Sequence, residues 1–235
     1  MRCISFLFFF CLSLALVATP LTAQTDSSSK PDIATVSAAR PPSSPEAREA
    51  IAKGQELLSQ KDVKGGIASF KKAVELDPQY VRGHVLLGNA YMQAQQWTDA
   101  QAAFEKAARL APNDVTALLG LGSALNQQQD WSGALRPLTQ CLKLKTDSAE
   151  AHYEIARSLM GLERMQDAEL HVRISIELNG KYALPHILMG DVYLHLYENA
   201  EGALAEYQEY LRLDPDGPSS APVKAMIAKL QKMME

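Results

Sequence analysis

Three cysteines in 235 residues leave no room for the disulfide framework that holds small exported domains together. Basic charge is also short, because 23 Lys and Arg stand against 27 Asp and Glu, a formal net charge of −4. No global positive field exists to attract a polyanion, so nucleic acid is not an expected partner. Catalytic signatures are missing as well: no Gly-x-Ser-x-Gly elbow, no phosphate-binding loop and no His-Glu-x-x-His occurs. Gly120-Leu121-Gly122 is too short for a dinucleotide fingerprint. No enzyme activity, cofactor, metal or small-molecule substrate is therefore expected. Aromatic residues make up only 7% of the chain, yet 47% of it is apolar, enough for a sizeable core and too much for wholesale disorder.

The one long uncharged run lies at the N-terminus. Arg2 is the only charge before Asp26, Ile4 to Ala18 is apolar apart from Ser5, Cys11 and Ser13, and Leu21-Thr22-Ala23 follows Pro20. A basic start, an apolar middle and a small-residue end make residues 1–23 a signal peptide, cleaved after Ala23, and imply export to the periplasm or beyond in a bacterium. The alternative is an uncleaved inner-membrane anchor, in which case the chain would also meet a membrane. A lipid anchor at Cys11 is disfavoured by Phe8, Phe9 and Phe10, since no small residue precedes the cysteine. Residues 24–46, rich in Ser, Thr, Pro and Ala with Pro31, Pro41, Pro42 and Pro45, read as a flexible spacer in which proline interrupts any helix.

From Ala47 onward the chain repeats itself every 34 residues. Gly54, Gly88, Gly122, Ala156 and Gly190 form one column, and Leu57, Tyr91, Leu125, Leu159 and Tyr193 another. Phe70, Phe104, Leu138 and Val172 keep the same step, as do Ala73, Ala107, Cys141 and Ser175. The fifth copy gains a residue in its turn, so that Ala203, Tyr207, Tyr210 and Pro215 fall one place late. Each period holds two helical stripes: in the second copy Val85, Gly88 and Tyr91 with Leu86 and Leu87, then Ala100, Ala103, Phe104, Ala107 and Leu110, stopped by Pro112. Small residues are needed where the two helices approach, and a lone pair cannot cover its own apolar face, so the copies must stack.

Leu87-Gly88, Tyr91, Ala100, Phe104, Ala107 and Pro112 match the full tetratricopeptide repeat pattern, and the sequence resembles that family over residues 47–217. The first copy matches through Gly54, Leu57, Gly66, Phe70, Ala73 and Asp77-Pro78, whereas Thr146 and Gly180 replace the expected proline in the third and fourth. The resemblance implies an all-α, right-handed α-solenoid of five helix pairs, 47–80, 81–114, 115–148, 149–182 and 183–217. Residues 218–235 complete it: Val223, Met226, Ile227, Leu230 and Met233 or Met234 form one apolar side of a helix over 221–234, with Lys224, Lys229 and Lys232 on the other. Such a helix is expected to cap the array, with no further domain after it; an amphipathic membrane helix is the alternative.

In this family the first helix of each pair builds the inner wall. The positions that resemble its ligand-facing places are Ile51, Gln55, Arg82, Val85, Asn89, Met92, Leu119, Ser123, Asn126, Tyr153, Arg157, Met160, Ile187, Asp191 and Leu194. Apolar and Met side chains adapt to a partner, and Asn or Arg bonds a peptide backbone or carboxylate. Inner-face lysines are missing, so the subclass that grips a C-terminal carboxylate is not expected. The resemblance implies a non-catalytic scaffold that docks a peptide or segment of another protein in its concave groove, in envelope or secretory assembly. An accessory subunit of an enzyme complex, or a membrane-anchored adaptor, is the rival reading.

Three further features need a place. His84, His152 and His186 share a column, but stacked copies lie about 10 Å apart, too far for shared metal ligation, so they are expected to pack. Cys141 falls in a small-residue column and is expected in the core. The fifth copy sets seven acidic residues against Arg212 alone, either a solvated exterior or a surface for a basic partner segment.

Overall fold

Six helix starts are written into the sequence by short polar side chains. Ser44, Asp62, Asp114, Asp130, Ser148 and Asn199 each stand just before a helix and accept a first-turn N–H on the side chain. The computed structural model describes residues 44–234 together with Pro42; the expected signal segment and most of the spacer lie outside them. Within the described residues are eleven helices and no strand. The pairs are α1 (Pro45–Ser59) with α2 (Val63–Leu76), α3 (Val81–Gln93) with α4 (Trp97–Leu110), α5 (Val115–Gln127) with α6 (Trp131–Leu144), α7 (Ala149–Gly161) with α8 (Met165–Leu178), and α9 (Leu184–Tyr197) with α10 (Ala200–Leu213). Helix α11 (Ser220–Met234) follows. Pro45, expected to break any helix in the spacer, instead opens α1: at the first helical position the missing N–H would be unpaired anyway.

The turn inside each pair closes the same way. Lys61, Gln95, Gln129 and Glu163 adopt left-handed backbone with φ of 58 to 64°. The next N–H then reaches back to the carbonyl of Leu57, Tyr91, Leu125 or Leu159 at 2.9 to 3.0 Å, the Schellman closure. The second repeating column is therefore the third residue from each helix end. The fifth copy differs from expectation: its extra residue lies in the last turn of α9, not in the loop. Glu198 takes the left-handed place, and the bond back to Tyr193 now comes from Asn199 at 2.9 Å, one residue further on.

Within a pair, packing is set by one exchange of volume. A Cβ on Gly88 would lie 2.8 Å from the Phe104 ring, closer than carbon atoms approach. Phe70, Phe104, Leu138 and Tyr207 fill the space left by a glycine, whereas Ala156 faces the smaller Val172, and all five large residues are buried. Between pairs, each second helix packs on the first helix of the next, α2 on α3 through α8 on α9. First helices also pack on each other, α3 with α5, α5 with α7 and α7 with α9, which makes their side the inner wall. Helix α11 closes the end by burying Val223 and Leu230, with Ile227 beside them, against Tyr207 and Tyr210. Met226, Met233 and Met234 of its expected apolar side remain exposed.

Candidate functional site

The inner wall carries a groove where α3, α5 and α7 meet. Two cavities of about 360 and 300 Å³ lie end to end along it and share Asn89 and Thr116. The first is lined by Arg82, Val85, Leu86 and Asp114 besides the shared pair. The second is floored by Met92, Leu119 and the Phe104 ring, and walled by Ser123, Glu150, Glu154 and Tyr182. Gly120 opens that floor: a Cβ there would stand 2.4 Å from the Phe104 ring. Arg82 and Asn89 are exposed, so their polar groups are available to an occupant.

Of the expected positions, the structure brings Arg82, Val85, Asn89, Met92, Leu119 and Ser123 together in this groove. Gln55 is exposed on α1 away from it, and Ile51 is buried in the core. Met160 and Leu194 pack against core clusters. Ile187 and Asp191 line a separate cavity beside α11. Asn126 is a correction. It is 1% exposed, and its amide group donates at 2.8 Å to both the Glu154 carbonyl and Glu154 Oε2, while its Oδ1 accepts from Ser158 at 2.7 Å. Its hydrogen-bonding capacity is used in tying α5 to α7, so nothing is left for a ligand.

Glu154, which the repeat pattern did not flag, is the hub of that junction. Its carboxylate accepts from Ser123 Oγ at 2.8 Å, from Asn126, and from the Arg157 guanidinium at 3.1 Å. Arg157 is thus engaged by a protein carboxylate, and it also sits over the Tyr153 ring, 5.8 Å from its centre. Tyr153 is buried, which pushes its phenol up to about 12, and it meets Tyr182 edge to face with ring centres 5.3 Å apart. Tyr153 and Arg157 therefore reach the groove only through the partners they hold in place.

The histidine column divides by environment. His84 Nε2 donates to the Pro78 carbonyl at 3.0 Å, His152 Nδ1 faces His171 Nδ1 at 2.9 Å, and His186 Nδ1 bonds Glu206 at 2.7 Å. All three are buried, and among the described residues no three metal-ligating side chains converge. Burial holds the His84, His152 and His171 imidazoles below their ordinary value. Cys141 is buried with its Sγ near the Val115 carbonyl, and burial pushes its thiol up, away from the reactive thiolate. A further crevice of about 420 Å³ opens on the other face of α5, between α4 and α6, over Leu118, Leu121 and Leu125.

Comparison with known proteins matches a tetratricopeptide repeat family model to residues 85–149 and a TPR repeat model to residues 54–95. Residues 54–149 carry tetratricopeptide repeats. Solved structures agree with the fold of this chain. TTC0263, a thermophilic TPR protein of Thermus thermophilus, superposes with a TM-score of 0.65 at 15% identity, over 79% of this chain and 98% of its own. PilF of Pseudomonas aeruginosa gives 0.66 at 17% identity, over 80% and 84%. YrrB, described as a TPR protein with an unusual peptide-binding site, gives 0.56 at 23% identity, over 76% and 92%. No curated protein matches the sequence. TPR proteins generally act as non-catalytic scaffolds, and the fold of this chain is consistent with a protein–protein interaction scaffold.

Proposed function

We propose that this chain seats an extended segment of a partner protein in the α3–α5–α7 groove and performs no chemistry on it. The observation that carries the reading is Asn89, an exposed amide at the junction of two contiguous cavities over a floor of Met92, Leu119 and Phe104. An amide there can both donate to and accept from a peptide backbone, and the thioether and leucine adapt to varied side chains. Support also comes from YrrB, a relative in fold that carries a peptide-binding site. Thr116 is exposed and lines both cavities, so Thr116→Trp plugs the groove without entering the core. In a screen of random dodecapeptides, peptides selected by the wild-type chain should lose binding to Thr116→Trp and weaken on Asn89→Ala. Unchanged binding to both variants rejects the groove. Replacing Tyr153 or Arg157 would not serve, since each removal disturbs the buried Glu154 junction.

The basic, apolar and small-residue layout of residues 1–23 supports export, with assembly in the envelope or secretory route as the setting. N-terminal sequencing of the chain from its own host should begin at Gln24. Recovery of intact Met1 in the membrane fraction favours the anchored adaptor instead.

A further inference from the structure

Outside the central groove, one cavity combines a small apolar throat with a carboxylate that lacks a counter-ion. It lies between α9 and α11, has a volume of about 190 Å³, and is lined by Ile187, Asp191, Tyr207, Ser219, Pro222, Val223 and Met226. Asp191 is its only ionisable carboxylate. Tyr207 donates its hydroxyl to Asp191 Oδ1 at 2.6 Å, which leaves Oδ2 without a partner among the described residues. Lysines of α11 do not line the space, and Lys224 Nζ donates to the Pro215 carbonyl at 3.3 Å. His195 lies near enough to favour the charged form of Asp191 but makes no ion pair with it.

From this geometry we infer that the α9–α11 cavity is a specificity socket for a lysine or arginine side chain of the partner protein. The inference rests on the partner-binding reading above and names what the partner must present. The volume is below the ~300 Å³ of an ordinary small-molecule pocket, which suits one long side chain. Ile187, Pro222, Val223 and Met226 flank the aliphatic stem, while the ammonium or guanidinium meets Asp191 Oδ2. Burial raises the Asp191 carboxyl above its usual range, so an incoming cation relieves a penalty already present in the empty socket. The surroundings favour the same sign: Glu198, Glu201, Glu206, Glu209, Asp214 and Asp216 belong to the same repeat, and Arg212, its one basic residue, is tied to Glu209 at 2.6 Å.

The test uses the full chain and pools of acetylated, amidated octapeptides, random except for one position fixed as Lys, Arg, norleucine, Gln or Glu. Fluorescence anisotropy should rank the Lys and Arg pools above the norleucine pool by roughly thirtyfold, with the Glu pool weakest. Asp191→Asn keeps an oxygen for the Tyr207 hydroxyl, preserves the thermal melt, and should erase that ratio. Met226→Trp, at an exposed position, fills the socket without touching the carboxylate and should erase it too. Thr116→Trp separates the two readings, because it should weaken every pool while leaving the Lys-to-norleucine ratio intact. A lysine preference that survives both Asp191→Asn and Met226→Trp overturns the socket, as does the absence of any preference. Pools that lose affinity on Thr116→Trp yet show no preference leave the groove standing without the socket. A preference erased by Asp191→Asn in pools indifferent to Thr116→Trp leaves the socket standing without the groove.

Discussion

At the scale of single residues, Asn89 and Asn126 share a side chain, both on first helices, and serve opposite ends. Asn89 is exposed at the groove, whereas Asn126 spends its amide on Glu154 and Ser158 beneath the wall. Removing a buried group that satisfies several partners costs about 1–3 kcal/mol, because those partners lose bonds water cannot replace. Asn126→Ala should therefore lower the urea midpoint by that equivalent, and bound peptides should be affected only in proportion to the unfolded fraction. A binding defect at full folding would return Asn126 to the ligand-facing set. The 34-residue pattern separates the two asparagines: Asn89 shares a column with Gln55, Ser123, Arg157 and Asp191, whereas Asn126 stands in a column of Leu58, Met92, Met160 and Leu194. A second signal is Glu154, an acidic residue where other copies place Ala52, Leu86, Gly120 and Leu188. A carboxylate on a helix-packing face needs donors, and Ser123, Asn126 and Arg157 supply them.

Between helices, the relevant unit is the pair of facing volumes. Four pairs set glycine against a large side chain, and the fourth copy sets Ala156 against Val172. Val172→Phe should overpack this contact by about 1–3 kcal/mol, since the ring that fits over Gly88 has no room over Ala156. Adding Ala156→Gly to Val172→Phe should restore most of the loss and recreate the packing of the second pair. Chemical denaturation of the two single variants and the double variant measures the coupling, and strict additivity would contradict the exchange of volume. Helix number, order and facing columns follow from such local rules, so they were legible in the sequence. The extra residue of the fifth copy was legible too, but its place was not. An insertion can lengthen a loop or widen the last helical turn, and the bond from Asn199 to Tyr193 records the second outcome.

Across residues 44–234 taken together, stability is a sum over stacked neighbours, so a local weakness shows in the whole array. His84 and His152 are buried and His171 is half-buried, and desolvation holds all three imidazoles below the ordinary value of about 6.5. His152 and His171 face each other, with the Thr146 carbonyl beside the first and Asp167 near the second; Lys106, Arg109 and Asp77 surround His84. A lowered folded value means that the unfolded chain binds more protons once the pH drops below about 6.5. Stability from these groups is thus complete above that point and declines as pH falls toward the folded values. The urea midpoint should drop between pH 7.5 and 5, and His171→Asn should flatten the slope by removing one half-buried imidazole and relieving its neighbour. A midpoint constant over this range contradicts the assignment.

The sequence alone determined that the chain is a stack of helix pairs, because a 34-residue period is a local property: each copy carries its own apolar stripes and a glycine or alanine at the close approach. It also marked which helix of each pair could face a partner. It could not determine which of those side chains is free, since that depends on residues 28 to 32 positions away meeting across neighbouring pairs, as Ser123, Asn126 and Ser158 do around Glu154. The Asp191 socket likewise exists only because α11 folds back over α9, bringing Pro222 and Met226 beside a carboxylate far behind them in the chain. Hydrogen bonds and cavities of this kind are products of packing, and packing is what the tertiary structure decided.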